Sequence, residues 1–135
     1  MWPYDRSDMT TRTLPRTIVS AVDASKILGV RAGARSTHRF IGVWAVVIRG
    51  RVFARSWSLK PDGWYRAFLD DPRGAIRIGT RTVRVGAVPV TSEAIRDAVE
   101  EAYAKKYTTP GSRQFVRGFR SKRRREATLE FRPLR

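Results

Sequence analysis

The stretch FIGVWAVVIRGRVFARSW, residues 40–57, decides the fold that we predict for this chain. Residues 40–48 are dense in β-branched and aromatic side chains, and Arg49 and Gly50 then supply a two-residue turn before residues 51–57 return. Glycine at the second turn position provides the positive φ that a tight hairpin needs. Neither face of the returning strand is cleanly polar, so we expect core on one side and a ligand or subunit interface on the other.

The segments on either side of this hairpin predict short helices. Upstream, residues 18–22 suggest one helix, and residues 24–28 suggest a second helical turn that stops at Gly29. Downstream, the aromatic pattern of residues 64–69 predicts a helix with Asp62 as its cap.

The second half of the chain predicts another hairpin, a long helix and a closing strand. Residues 75–79 and 81–90 alternate apolar with basic side chains, and the change of phase at Gly86 predicts a β-bulge that helps the sheet to curl. Residues 92–105 carry one apolar stripe, which is typical of an amphipathic helix. Residues 128–132 close the pattern as a strand.

These elements indicate an α+β fold in which five strands curl into a small β-barrel with flanking helices. Residues 1–15 lack periodicity and are interpreted as a flexible leader. Residues 16–135 then form a single domain, in which residues 113–126 act as a basic connector.

Composition narrows the function classes. The chain has 135 residues, 41% of them hydrophobic, which is enough for one domain with a real core and too short for a multidomain enzyme. It has no cysteine, so disulfides and thiolate metal sites are excluded. The longest apolar run, residues 43–48, is too short to span a bilayer, and we expect a cytoplasmic protein with no membrane partner.

The formal net charge of +16 favours a polyanionic partner. Residues 113–135 carry nine basic and two acidic side chains, and the one charge run lies at residues 122–125. Such a run is either a solvated loop or a real anion contact, and the sequence leaves both readings open.

Side chains for hydrolytic or metal chemistry are scarce. His38 is the single histidine, and the acidic residues lie on helix faces and in turns without pairing across a site. A flavin carries its own reactive atoms, so it asks the protein only for an anion clamp and ring contacts. The segment around the first hairpin offers such a set, and no metal is expected. The candidate cofactor-binding residues are Trp44, Arg55, Ser56, Trp57, Lys60, Trp64 and Tyr65. Alternatively, the tryptophans belong to the core and the basic residues to the surface.

The motifs GVWAVVIRGRVFARSW, GWYRAFLDDPRGAIRIGTRTVRVGAVPV, AYAKKY and TLEF resemble the bacterial family called domain of unknown function 2255, over residues 17–135. The layout is similar in turn to the split-barrel flavin-binding superfamily, which includes the deazaflavin-dependent nitroreductases. The resemblance implies a cytoplasmic homodimer of six-stranded antiparallel split barrels that binds FMN or the deazaflavin F420, with an oxidoreductase activity. It also implies that Arg55 and Ser56, with Lys60 nearby, hold the cofactor phosphate. Residues 34–37 lack both glycines of the nitroreductases' Gly-Arg-x-Ser-Gly loop.

Two further hypotheses remain beside the cofactor. A nucleic-acid-binding protein would use the basic segment between Arg117 and Arg125, where Phe115 and Phe119 alternate with arginine and are expected to stack on unpaired bases. A third hypothesis is a barrel that has lost any ligand and uses its arginines only for solubility.

Overall fold

The computed structural model describes residues 13–134. The predicted leader therefore lies outside the described residues, apart from residues 13–15. That last part departs from the prediction, because Leu14 is buried in the core with only 4% of its surface exposed. The folded region thus begins a little before Arg16.

The described residues form five helices and seven strands. In chain order these are α1 (Arg16–Ala24), β1 (Leu28–Ala32), β2 (Ile41–Val43), β3 (Ala45–Ile48), β4 (Arg51–Arg55), α2 (Trp64–Asp70), β5 (Arg73–Ile78), β6 (Arg81–Pro89), α3 (Glu93–Lys106), α4 (Pro110–Gly118), α5 (Lys122–Glu126) and β7 (Thr128–Pro133).

The seven strands make one antiparallel sheet in the order β2-β1-β5-β6-β7-β4-β3. Its two edge strands, β2 and β3, follow each other in the chain and are separated by Trp44 alone. The sheet must therefore curl until its two edges meet, which produces a nearly closed barrel with a seam at Trp44. The predicted α+β small barrel is confirmed, but it has seven strands rather than five or six.

The two additional strands come from two segments that the sequence pattern assigned wrongly. Residues 24–28 do not continue as a helix; β1 begins at Leu28, and Leu28 and Val30 point into the core while Gly29 and Arg31 point outward. Residues 40–48 do not form one strand, because Trp44 interrupts them where the chain crosses the seam.

The first hairpin is confirmed. β3 pairs with β4 across Arg49 and Gly50, whose φ values of 51° and 76° are those of a tight hairpin turn. The second hairpin, β5 with β6, is also confirmed, as are α2, α3 and β7. Gly63 rather than Asp62 occupies the cap position of α2, and no side chain caps that helix.

The predicted bulge at Gly86 is wrong. The register of β6 has no slip: against β5 it is constant up to Gly86, where that pairing ends, and against β7 it is constant through Gly86. The change of phase has another cause: Val85 and Ala87 pack inside the barrel, while Val90 packs in a second core on the outside. Apolar side chains on both faces of one strand imitate a shift in alternation.

Two hydrophobic cores therefore lie on opposite faces of the sheet. The inner core joins α1 and Phe68 of α2 to the inward residues of the strands. The outer core lies between β3–β4 and the helices α3 and α4. It contains Val46, Phe53, Val90, Val99, Tyr103, Tyr107, Val116 and Phe119.

The segment predicted as a basic connector, residues 113–126, is mostly helical, because it contains the second half of α4 and all of α5. Thr109 caps α4 by accepting a hydrogen bond from the backbone of Ser112, and Pro110 occupies the first turn, where it needs no acceptor. Val116 and Phe119 then supply the buried face of this segment. None of the five helices in residues 13–134 is long and apolar enough to cross a membrane.

Candidate functional site

An aromatic pocket of about 400 Å³ opens at the barrel seam. Its size lies within the range of small-molecule sites, and its wall is mostly apolar. The lining comes from the edge strand β2 with Trp44, from Ile27 before β1, from the end of β4 and the loop after it, from α2, and from α4 with the residue after it. The lining residues are Ile27, Ile41, Gly42, Val43, Trp44, Arg55, Trp57, Ser58, Trp64, Phe115 and Phe119.

Trp44 is fixed at the seam by contacts on its ring and on its backbone. The indole stacks on Tyr107 with ring centroids 4.2 Å apart and an interplanar angle of 6°. The Tyr103 hydroxyl donates to the Trp44 carbonyl oxygen at 2.6 Å and accepts from the Arg55 backbone N–H at 2.9 Å. Burial raises the pKa of both tyrosines, that of Tyr107 to about 12, so both stay neutral donors at physiological pH.

Trp57 forms the opposite wall of the pocket. Its ring makes edge contacts with Phe115 and Phe119, at centroid distances of 5.0 Å and 5.8 Å. The Arg124 guanidinium lies 3.8 Å from the Trp57 ring centroid, and Arg124 Nε donates to the Trp57 carbonyl oxygen. Gly118 lets α4 approach this closely, because a Cβ there would overlap the Trp57 ring.

Arg55 lies at the floor of the pocket and is committed to protein groups. Only 1% of the residue is exposed, and its guanidinium donates to Thr128 Oγ1, Glu100 Oε1 and the carbonyl oxygens of Phe119 and Arg96. Burial lowers the pKa of Arg55, and the nearby Glu100 carboxylate opposes that shift. These bonds tie β4 to α3, β7 and the end of α4.

The other predicted anion-binding side chains do not reach the pocket. The Ser56 hydroxyl is buried and donates to the Ser58 carbonyl oxygen at 2.6 Å. Lys60 is exposed and lies outside the pocket wall. Tyr65 lines a separate small cleft between α2 and α5, where its hydroxyl donates to the Glu126 carbonyl oxygen. The structure thus brings together four of the seven predicted residues: Trp44, Arg55, Trp57 and Trp64.

Two pocket residues, Phe115 of α4 and Phe119 just after it, were not among the predicted cofactor-binding residues. Phe115 and Phe119 are four residues apart, which places them on one face of a helix. The Thr109-Pro110 pair at the start of α4 was the signal that marks this helix. The structure also corrects the stacking role expected of Phe119, because it is 4% exposed and cannot reach an unpaired base.

A cluster of ion pairs holds α5 behind this site. Arg125 donates to carboxylate oxygens of Glu93, Asp97 and Glu100 on α3. The hydrogen bonds from Arg125 and Arg96 lower the pKa of Glu93, and the three carboxylates raise the pKa of Arg125. Through Glu100, this cluster continues to the buried Arg55. Within residues 13–134, no group of three or more His, Asp or Glu side chains is arranged to hold a metal ion.

The described residues thus define a small antiparallel β-barrel protein with an aromatic pocket at its seam. Comparison with known proteins gives its family. The chain belongs to the family described as uncharacterized proteins conserved in bacteria, domain of unknown function 2255, whose model matches residues 16–131. This confirms the resemblance drawn from the motifs. No curated protein matches the chain.

A solved structure shares the fold. The crystal structure of the conserved hypothetical protein Rv2991 from Mycobacterium tuberculosis is similar with a TM-score of 0.59 and 15% sequence identity. The match covers 97% of this chain and 84% of that chain. At this identity the likeness concerns the arrangement of the backbone.

Proposed function

We propose that the pocket at the seam binds a planar heteroaromatic cofactor of the flavin class, FMN or the deazaflavin F420. The observation that carries the proposal is the pocket itself, which is about 400 Å³ in volume and is lined by Trp44, Trp57 and Trp64 with Phe115 and Phe119. Aromatic walls favour a flat π-system, and a mostly apolar hollow excludes water from it. A bound flavin supplies the redox chemistry, so oxidoreductase is the activity class that follows from this proposal.

Arg124 is the cation best placed for an anionic tail of the cofactor. It stacks on the ring of Trp57, just behind the residues that line the pocket, and it has no carboxylate partner among residues 13–134. Its hydrogen bond to the Trp57 carbonyl oxygen uses Nε, which leaves both terminal nitrogens for a phosphate. The donors of Arg55 already serve Thr128, Glu100 and two carbonyl oxygens, so Arg55 is not available to the phosphate.

The direct test is a titration of purified protein with FMN, F420 and riboflavin, followed by ligand fluorescence and by quenching of tryptophan emission. We expect saturable binding of at least one of the three at micromolar concentration. Trp57→Ala should weaken binding about tenfold or more, since it removes an aromatic wall. Lys60→Ala, a change outside the pocket, should leave the affinity unaltered. If none of the three ligands binds, the proposal fails.

A second variant distinguishes the binding of the cofactor's ring system from the binding of its phosphate. Arg124→Gln should weaken FMN about tenfold while leaving riboflavin unchanged, because riboflavin has no phosphate to lose. Equal loss for both ligands would mean that Arg124 acts through the shape of the pocket, and the proposed phosphate contact would then be wrong.

We also propose that a second copy of the chain covers the mouth of the pocket. Ile27, Ile41 and Phe115 at its rim are 50%, 42% and 37% exposed, an unusual cost for apolar side chains on a monomer. Light scattering should report a dimer for the wild type and a monomer for Ile41→Asp. A monomeric wild type at micromolar concentration would contradict this part of the proposal.

A further inference from the structure

The outward face of β1, β5 and β6 carries arginines without counter-charges. Because side chains alternate along a strand, Arg31, Arg77 and Arg84 point away from the barrel core, while Val30, Ile76 and Val85 point into it. We call Arg31, Arg77 and Arg84 the arginine face.

Strand register brings the three arginines onto one surface. Ala75 of the central strand pairs with Arg31 on one side and with Arg84 on the other, so these two arginines lie two strand spacings, about 10 Å, apart. Arg77 lies in the next row, between Gly29 and Thr82. Arg77 and Arg84 are exposed, whereas Arg31 is half-buried.

Phe40 helps to hold two of these side chains. Gly29 has no side chain, and Phe40 occupies the space above it, since a Cβ at Gly29 would lie 3.2 Å from the Phe40 Cβ. The guanidinium carbons of Arg31 and Arg77 then lie 4.3 Å and 5.9 Å from the Phe40 ring centroid. These cation–π contacts hold the two charges over the face, and Arg31 Nη1 also donates to the His38 carbonyl oxygen at 3.2 Å.

The arginine face lacks compensating acid. β1, β5 and β6 contain no Asp or Glu, and none of Arg31, Arg77 and Arg84 has a carboxylate within 4.0 Å among residues 13–134. Arg31 Nε is also buried without any acceptor in the described part of the chain. The enclosed Nε cannot be reached from solvent, so the exposed guanidinium groups of Arg77 and Arg84 are the ones available to an anion.

We infer that the arginine face binds the phosphate backbone of a nucleic acid. The four described hollows are lined by other residues, and three cations spread over three strands suit an extended polyanion better than a small one. Phe40 on this face is already packed against Arg31 and Arg77, so its ring does not stack on a base. The arginine face therefore contacts phosphates and does not read the sequence of bases. This surface is separate from the cofactor pocket and differs from the C-terminal segment that the charge pattern indicated.

The test is fluorescence anisotropy with a labelled 20-nucleotide single strand and the matching duplex, at several salt concentrations. The wild-type protein should bind the oligonucleotides, and the logarithm of its affinity should fall linearly with the logarithm of the salt concentration. Arg77→Thr/Arg84→Thr should weaken single-strand binding about 20-fold at 0.1 M salt and reduce the slope by about 1.4, which is two phosphate contacts. Threonine suits a strand, so the sheet should persist, as circular dichroism will check.

The matched control is Arg117→Ser/Arg120→Ser, which has the same net charge and alters α4 and the turn after it instead of the sheet. It should bind within about twofold of the wild type. An equal loss in both double variants would show that net charge alone drives binding, and a larger loss in the control would place the contact on the C-terminal segment. Either result overturns the inference, as does a wild type that binds neither oligonucleotide. The same variants are also titrated with the cofactor. This titration distinguishes a failure of nucleic-acid binding at the arginine face from a failure of cofactor binding in the pocket.

Discussion

The two outward halves of one sheet carry arginine in opposite ways. Over β3 and β4, the helices α3 and α4 cover the sheet, and Arg55 is buried beneath them with four hydrogen bonds to protein acceptors. Over β1, β5 and β6, Arg77 and Arg84 remain exposed and without ion pairs among the described residues. The same residue type thus has a structural role where helices cover it and is available to an anion where they do not.

The difference shows that alternating arginine along a strand does not by itself define a site. A guanidinium under a helix must be neutralised and fully hydrogen-bonded, because leaving it unpaired in a low dielectric costs several kcal/mol. A guanidinium in water has no such requirement. Charge patterns therefore acquire a function only after tertiary packing has decided which side chains are covered.

Arg55→Met sharpens this comparison most strongly. Removing the guanidinium takes the Arg55 donors from Thr128 Oγ1 and two carbonyl oxygens, while Glu100 keeps its bond from Arg125, so we expect a loss of about 3–5 kcal/mol in the free energy of unfolding. Urea denaturation measures it. Arg84→Met on the exposed half is the control and should change stability by less than about 0.5 kcal/mol. Equal effects at the two positions would abolish the distinction.

Tyr103→Phe tests the hydrogen bonds that join the covered half to the seam. The hydroxyl serves both the Trp44 carbonyl and the Arg55 N–H, and the residue is fully buried. We expect a loss of about 1–3 kcal/mol for the unpaired groups, measured by chemical denaturation. Phe53→Leu in the same core keeps every hydrogen bond and separates loss of packing from loss of the hydroxyl. An unaltered stability for Tyr103→Phe would mean that water replaces the hydroxyl.

Gly118→Ala probes how closely α4 is packed on the pocket. Alanine normally stabilises a helix relative to glycine, but a Cβ here would overlap the Trp57 ring. We therefore expect a destabilisation of about 1–3 kcal/mol and a shifted tryptophan emission. Gly111→Ala in the same helix meets nothing within 4 Å and should leave stability unchanged or slightly higher. The reverse order of the two variants would be incompatible with this packing.

The smallest effect concerns pH and the ion pairs of α5. The pKa of Glu93 is lowered by Arg125 and Arg96, so its carboxylate adds stability above its ordinary value of 4.5 and loses that contribution as pH falls below it. Glu93→Gln should therefore flatten the decline in the unfolding midpoint between pH 4.5 and pH 3. Glu101→Gln removes an α3 carboxylate that has no ion pair in residues 13–134 and should keep the wild-type slope.

Local patterns predicted the regular elements well where one face of an element was buried and the other was solvated. The hairpin at Arg49-Gly50 and the helix after Ser92 follow from turn chemistry and from one apolar stripe. The strand β1 was missed and a bulge was wrongly predicted at Gly86 of β6, because a short segment and a strand buried on both faces lose their periodicity.

The candidate site likewise has one part that the sequence predicted and another part that only the folded structure determined. The sequence by itself determined the family, the barrel class and the tryptophans of the pocket, since turn residues and motifs are local properties. Only the tertiary structure decided which basic side chains are free, because closing the barrel at Trp44 and laying α3 and α4 over one half buried Arg55 while Arg77 and Arg84 stayed in water. Burial depends on what packs over a residue, and no neighbour in the sequence carries that information.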